Sequence, residues 1–152
     1  MFRILVDADA SPVKQEVYRV AKRYGLKVVL VANSPINNVP GENWIEQVVV
    51  TGQFDAADDW IADNANRNDI VITGDIPLAS RILKKGAQVV SPKGMIFTDS
   101  SVANALATRD LKTHLRNIGI NTDGPASFTK KDRSVFLQSL DRLIQTIRNA
   151  KG

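Results

Sequence analysis

The residues of this chain best suited to chemistry are aspartates, and they fall where hydrophobic runs end. Asp7 and Asp9 follow the run 2–6, Asp55, Asp58 and Asp59 follow 48–50, and Asp75 follows 70–72. Carboxylates crowded within about 4–6 Å raise one another's pKa, so acids gathered from separate runs normally have a cation to hold. The chain has no cysteine and one histidine, His114, which excludes thiolate zinc sites, a Cys nucleophile and multi-His metal sites. Oxygen ligands alone select hard cations, Mg²⁺ or Mn²⁺. The candidate metal ligands are therefore Asp7, Asp9, Asp55, Asp58 and Asp75, with Asp7 and Asp75 the candidate catalytic pair.

Each acid also has a local explanation. Asp55 followed by Asp58 fits an N-cap with an acid at N3, and Asp58 and Asp59 suit a first helical turn. Asp75 before Ile76 and Pro77 fits an N-cap with proline in the first turn. Asp9 could serve a helix starting at Pro12, although Ser11 is the more natural cap. What these explanations leave unaccounted for is that acids behind three different strands share one edge.

Five short runs rich in Val, Ile and Leu (2–6, 28–31, 48–50, 70–72 and 89–90) read as strands buried on both faces. Helical patterns lie between them at 12–24, 56–65 and 78–85, the first and third closed by Gly25 and Gly86 behind basic last turns. Strand alternating with helix predicts an α/β fold, a three-layer parallel sheet flanked by helices. In such sheets ligands bind outside the carboxyl ends of the strands, where strand order reverses. If the first and fourth strands are neighbours, Asp7 and Asp75 converge there. The segment 33–44, with two prolines and four asparagines, reads as a long loop. After Pro92 the pattern predicts helices only: 102–118, and a helix capped by Thr129 with Asp132 at N3 that runs to about residue 148. At 152 residues the chain is expected to be a single domain, an α/β part (1–92) with a helical part (93–152) packed on it.

Hydrophobic residues at 43% and charged residues at 24% match a soluble globular protein and leave no surplus for a membrane span. An acid after three apolar residues at the N-terminus argues against a signal peptide and for a cytoplasmic location. Net charge is +4, but residues 1–76 carry 7 Lys/Arg against 11 Asp/Glu and residues 77–152 carry 13 against 5. A basic half beside an acidic, metal-loaded edge suits a polyanion. Arg109, Lys112 and Arg116 form one basic helical face, the candidate contact for single-stranded nucleic acid. His114 reads as a half-buried helical residue, Ser11 as a cap, Lys84 and Lys85 as charges opposing a helix dipole, and Trp44, Trp60 and the five Phe as core.

The runs Val6-Asp7-Ala8-Asp9-Ala10-Ser11-Pro12, Val31-Ala32-Asn33, Phe54-Asp55-Ala56-Ala57-Asp58, Ile72-Thr73-Gly74-Asp75-Ile76-Pro77-Leu78-Ala79 and Gly124-Pro125 together resemble the bacterial YaiI/YqxD family, collinearly from Arg3 to about Ile147. That family in turn is similar to the PIN-domain superfamily. The resemblance implies a PIN-like α/β fold and a Mg²⁺- or Mn²⁺-dependent nuclease, a hydrolase acting on RNA. Asp7 would match the acid after the first strand, Asp75 that of the later strand, and Asp55 and Asp58 the acids of the intervening helix. The chain departs from the pattern in having Ser11 where the family usually has cysteine, and aspartates where PIN proteins usually carry a glutamate on the middle helix.

Two other functions compete. The stretch 4–11 approaches the opening motif of haloacid-dehalogenase-like phosphatases, with Asp7 as nucleophile, Asp9 as acid/base and Gly74-Asp75 like the metal motif, but Ala79 stands where a second acid is expected. The other is a non-catalytic RNA-binding or interaction module that keeps the fold without the chemistry.

Overall fold

The computed structural model describes residues 2–9, 11–52, 55–107 and 128–151. Its strands are β1 (Arg3–Asp7), β2 (Lys27–Ala32), β3 (Ile45–Val49), β4 (Ile70–Ile72), β5 (Gln88–Val90) and β6 (Ile96–Phe97). The helices are α1 (Lys14–Tyr24), α2 (Ala56–Asn64), α3 (Ile76–Lys84), α4 (99–107) and α5 (Lys130–Lys151). The sheet order is β3-β2-β1-β4-β5-β6. All pairings are parallel except β5 with β6.

Successive side chains of a strand point to opposite faces, and this sorts the central strands between two cores. Ile4, Val6, Val28, Leu30, Ile70 and Ile72 meet α1 and α5 on one face. Leu5, Val29, Val31, Val71 and Val89 meet α2, α3 and Val102 of α4 on the other. Both faces are covered, which makes the three expected layers and explains why β1, β2 and β4 read as continuous apolar runs. Each large aliphatic side chain buried this way contributes roughly 1.5–3 kcal/mol.

Local chemistry sets the helix ends. Gly25 closes α1 in the left-handed conformation, φ 69°; at α3 the C-cap is Lys85, and the left-handed residue is Gly86 beyond it, φ 82°. Thr129 and Asp132 cap α5 reciprocally: Thr129 N–H donates to Asp132 Oδ2 at 3.0 Å, and Asp132 N–H to Thr129 Oγ1 at 3.1 Å. These bonds, helped by Lys93 and Lys131, hold the Asp132 carboxyl below its ordinary value. Phe136, Leu140, Leu143, Ile144 and Ile147 seat α5 in the same core as α1.

Several expectations need correction. The region after Pro92 is not purely helical: Ile96 and Phe97 pair antiparallel with Val90 and Val89, a strand too short for its periodicity to register. β3 is not buried on both faces, because as the sheet's outer strand it leaves Glu46, Gln47 and Val49 exposed. α1 starts at Lys14 with Val13 as N-cap, so Ser11 does not cap it; its Oγ only accepts from Val13 N–H at 3.5 Å. Asp55 stands at the N-cap of α2 but its side chain makes no capping bond. Lys85 reaches across to the end of α2, donating to Ala62 O at 2.6 Å. The rest of the 102–118 helix, with His114, lies outside the described residues, as do Phe54, Gly124 and Pro125.

Candidate functional site

The strand order reverses between the parallel neighbours β1 and β4, since β1 leads outward to β2 and β3 on one side and β4 to β5 on the other. Val6 pairs with Ile72, so Asp7 and Thr73 leave the sheet side by side at its carboxyl edge. Thr73, 1% exposed, donates its Oγ1 hydrogen to Asp7 Oδ2 at 2.9 Å and accepts from Asp75 N–H at 3.0 Å. One buried hydroxyl thus fixes both predicted partners. Asp75 also caps α3, with Oδ1 accepting from Leu78 N–H at 2.9 Å. Oδ1 of Asp7 and Oδ2 of Asp75 take no part in these bonds.

α2 brings Asp58 to the same place. Burial, the charges of Asp75 and Asp7, hydrogen-bond contact with Asp75, and Asp55 together push its carboxyl from 3.8 up to about 6. Burial raises Asp7 as well; the Thr73 hydroxyl opposes this, and Asp75 and Asp9 add to it. Asp58 is thus the acid on which the charges of Asp7, Asp75 and Asp55 converge, and the Asp55 side chain makes no capping bond to its helix. Asp9 is near enough to act on Asp7, but both its oxygens accept from Asn33 N–H, at 3.0 and 3.1 Å, which ties the β1 turn to the end of β2. Asp59 is paired with Arg81 of α3 at 2.8 Å.

Electrostatic coupling reaches further than metal coordination at about 2.0–2.6 Å. Among the described residues, no three acids close into a ready cation cage. The donor set is all carboxylate oxygen, which fits a hard divalent ion, and two of the acids are already strained toward neutrality. Arg109, Lys112 and Arg116 lie outside the described residues.

Sequence reasoning passed over two contributors. Thr73 was visible only as part of a motif, although a hydroxyl between a strand end and an acid could have flagged it. Phe128, assigned to the core, does pack against it, but it is only half-buried and also lines a cavity with Pro12, Gly74, Ser91, Pro92 and Lys93. No signal in sequence separates it from a core phenylalanine.

Fold and site together define an α/β protein with a crowded carboxylate edge at its switch point. The chain belongs to the YaiI/YqxD family, whose model, described as an uncharacterized BCR family, matches residues 5–146. It is 54% identical over 147 residues to UPF0178 proteins of Brucella ovis and Brucella canis, the alignments covering 97% of this chain and 91% of theirs. Rae1 (YacP) from Bacillus subtilis, solved as a W164L mutant, aligns over 96% of this chain and 99% of its own with 18% identity and a TM-score of 0.43. That likeness is too loose to carry a conclusion.

Proposed function

We propose that the carboxyl edge is the active site of a divalent-metal-dependent phosphodiesterase acting on RNA. The observation that carries this reading is the gathering of Asp58, Asp75 and Asp7 at the switch point, where burial first and then the charges of Asp75 and Asp7 push Asp58 up to about 6. Unneutralised acids held together at a cost to their own ionisation are arranged for a cation. Asp7, Asp58 and Asp75 would hold Mg²⁺ or Mn²⁺, with Asp55 at the margin; Asp9 would have to give up Asn33 to join. Such an ion supplies charge neutralisation at phosphorus and a more acidic water. Thr73 orients Asp7, the α3 cap orients Asp75, and Asp58 can hold a proton up to about pH 6. Arg109, Lys112 and Arg116 would contact the nucleic-acid backbone.

The resemblance to the PIN superfamily supports the choice of RNA. The test is calorimetry with Mn²⁺ and cleavage of labelled single-stranded RNA, comparing the native chain with Asp7→Asn and Asp75→Asn. Each variant should lose metal binding and nearly all cleavage. Equal cleavage by the native chain and Asp75→Asn would reject the reading. One observation favours a non-catalytic RNA-binding module instead: the acids are coupled but not closed around a cation position among the described residues. RNA binding with no heat of Mn²⁺ binding at millimolar metal would select that module.

A further inference from the structure

Beside the acidic edge lies a cavity of about 350 Å³ lined by Pro12, Gly74, Ser91, Pro92, Lys93 and Phe128. Gly74 joins it to the site, because its neighbours in the chain are Thr73 and Asp75. The volume is within the range of about 300–1,000 Å³ typical of small-ligand pockets. Its walls are mainly apolar, with Pro12, Pro92, Gly74 and the Phe128 ring among them. Ser91 is committed to the turn, its Oγ accepting from Met95 N–H at 3.0 Å.

The aromatic ring packs against the core shared by α1 and α5 and carries a cation beside it. The Arg133 guanidinium lies 5.7 Å from the Phe128 centroid, and its Nε donates to Glu16 Oε1 at 2.9 Å. Glu16, 6% exposed, belongs to the first turn of α1, so the brace connects α1 to α5. A ring positioned this way loses little freedom when a second flat ring stacks on it. Lys93 brings a positive charge to the rim, close enough to Asp132 to favour its ionised form.

We propose that this cavity is a nucleobase pocket, in which Phe128 stacks on one base of a single-stranded RNA while Lys93 meets the adjoining phosphate, so that the next linkage lies along Gly74 toward Asp75. The inference rests on the proposed nuclease reading and adds where the substrate is gripped. An apolar slot with an aromatic wall, a cation at its rim and a phosphodiester site next door matches an aromatic, anionic, repeating ligand better than an aliphatic or acidic one. Stacking accepts any base, so recognition here is expected to be tolerant of sequence.

The experiment is fluorescence anisotropy with the full chain and a labelled single-stranded RNA in EDTA, so that neither metal nor cleavage enters. Replacing the bases by abasic ribose, and separately Phe128→Leu, should each weaken binding roughly 5- to 150-fold, the factor equivalent to about 1–3 kcal/mol per stacked base. Phe128→Trp should retain binding. The abasic substitution should have little further effect in Phe128→Leu. Lys93→Gln should lower the log–log salt slope by about 0.7. Phe128→Leu keeps the apolar volume, and the abasic comparison needs no variant, so a folding defect cannot decide the result. Native-strength binding by Phe128→Leu, base-independent binding, or no binding by the native chain would each overturn the pocket. Base-dependent binding without Mn²⁺-dependent cleavage would keep the pocket and reject the nuclease; cleavage with base-independent binding would do the reverse.

Discussion

The Thr73 hydroxyl donates to Asp7 Oδ2 at 2.9 Å and so joins the end of β1 to the chain leaving β4. Because the same oxygen accepts from Asp75 N–H at 3.0 Å, a single side chain sets the spacing of two acids 68 positions apart in sequence. Thr73→Val keeps shape but removes both bonds, leaving Asp75 N–H without that acceptor. A loss of about 1–3 kcal/mol is expected in chemical denaturation. Asp7 should also titrate higher in the variant, measured by carboxyl NMR, whereas Thr73→Ser should stay close to native on both counts.

Asp58 makes stability depend on pH. Its folded value of about 6 lies above the ordinary 3.8, so the folded chain binds the proton more tightly than the unfolded one. The resulting stabilisation is fully present below about pH 3.8 and is lost as pH rises through about 6. Asp7, raised as well, acts in the same direction. Asp58→Asn should therefore be more stable than the native chain at pH 7, by about 1 kcal/mol once solvent screening of this half-exposed group is allowed for. Thermal melts at pH 4 and pH 7 check the sign: the difference should shrink at the lower pH.

A cation at the edge should reverse that penalty. Millimolar Mn²⁺ is expected to raise the melting temperature of the native chain at pH 7 and to do so less at pH 4, where protons compete for the same oxygens. Asp7→Asn should show no such rise.

A different acid secures the opposite edge of the sheet. Asp69, 2% exposed, accepts from Arg3 N–H and Arg3 Nη2, both at 2.9 Å, and from Asn66 N–H at 2.8 Å. Asp69→Ala strands these donors near the start of β1 and should cost about 3 kcal/mol. Its effect on any RNA cleavage should track the fraction folded, which separates it from the site acids.

Gly94 allows α5 to approach the sheet. It sits at φ 90°, and a Cβ there would lie 2.5 Å from Val135 Cγ1 and 2.7 Å from Val135 C. Gly94→Ala combines backbone strain with overpacking and should destabilise by about 2–4 kcal/mol. Because Lys93 precedes it, RNA binding by the folded fraction should weaken too.

Much of this protein was legible in one dimension. Apolar runs such as 70–72 are buried on both faces, and only strands sandwiched between helices need that pattern, so the α/β class followed from local composition. Caps were equally legible where partners are three residues apart, as with Thr129 and Asp132. The acids behind the runs marked the carboxyl edge because strand direction alone puts residues that follow a strand there. What sequence could not decide was which carboxylates face one another. Asp55 stands at the N-cap of α2 but makes no capping bond; Asp9, expected among the site acids, also accepts from Asn33 N–H; Asp58 was one acid among several until α2 packed it against Asp75. Nor could it show that Phe128 stands at a cavity beside Gly74. Those distinctions depend on separations of a few ångströms between residues far apart in the chain, set by how α2, α3 and α5 dock on the sheet, and side-chain packing of that kind leaves no periodicity to read.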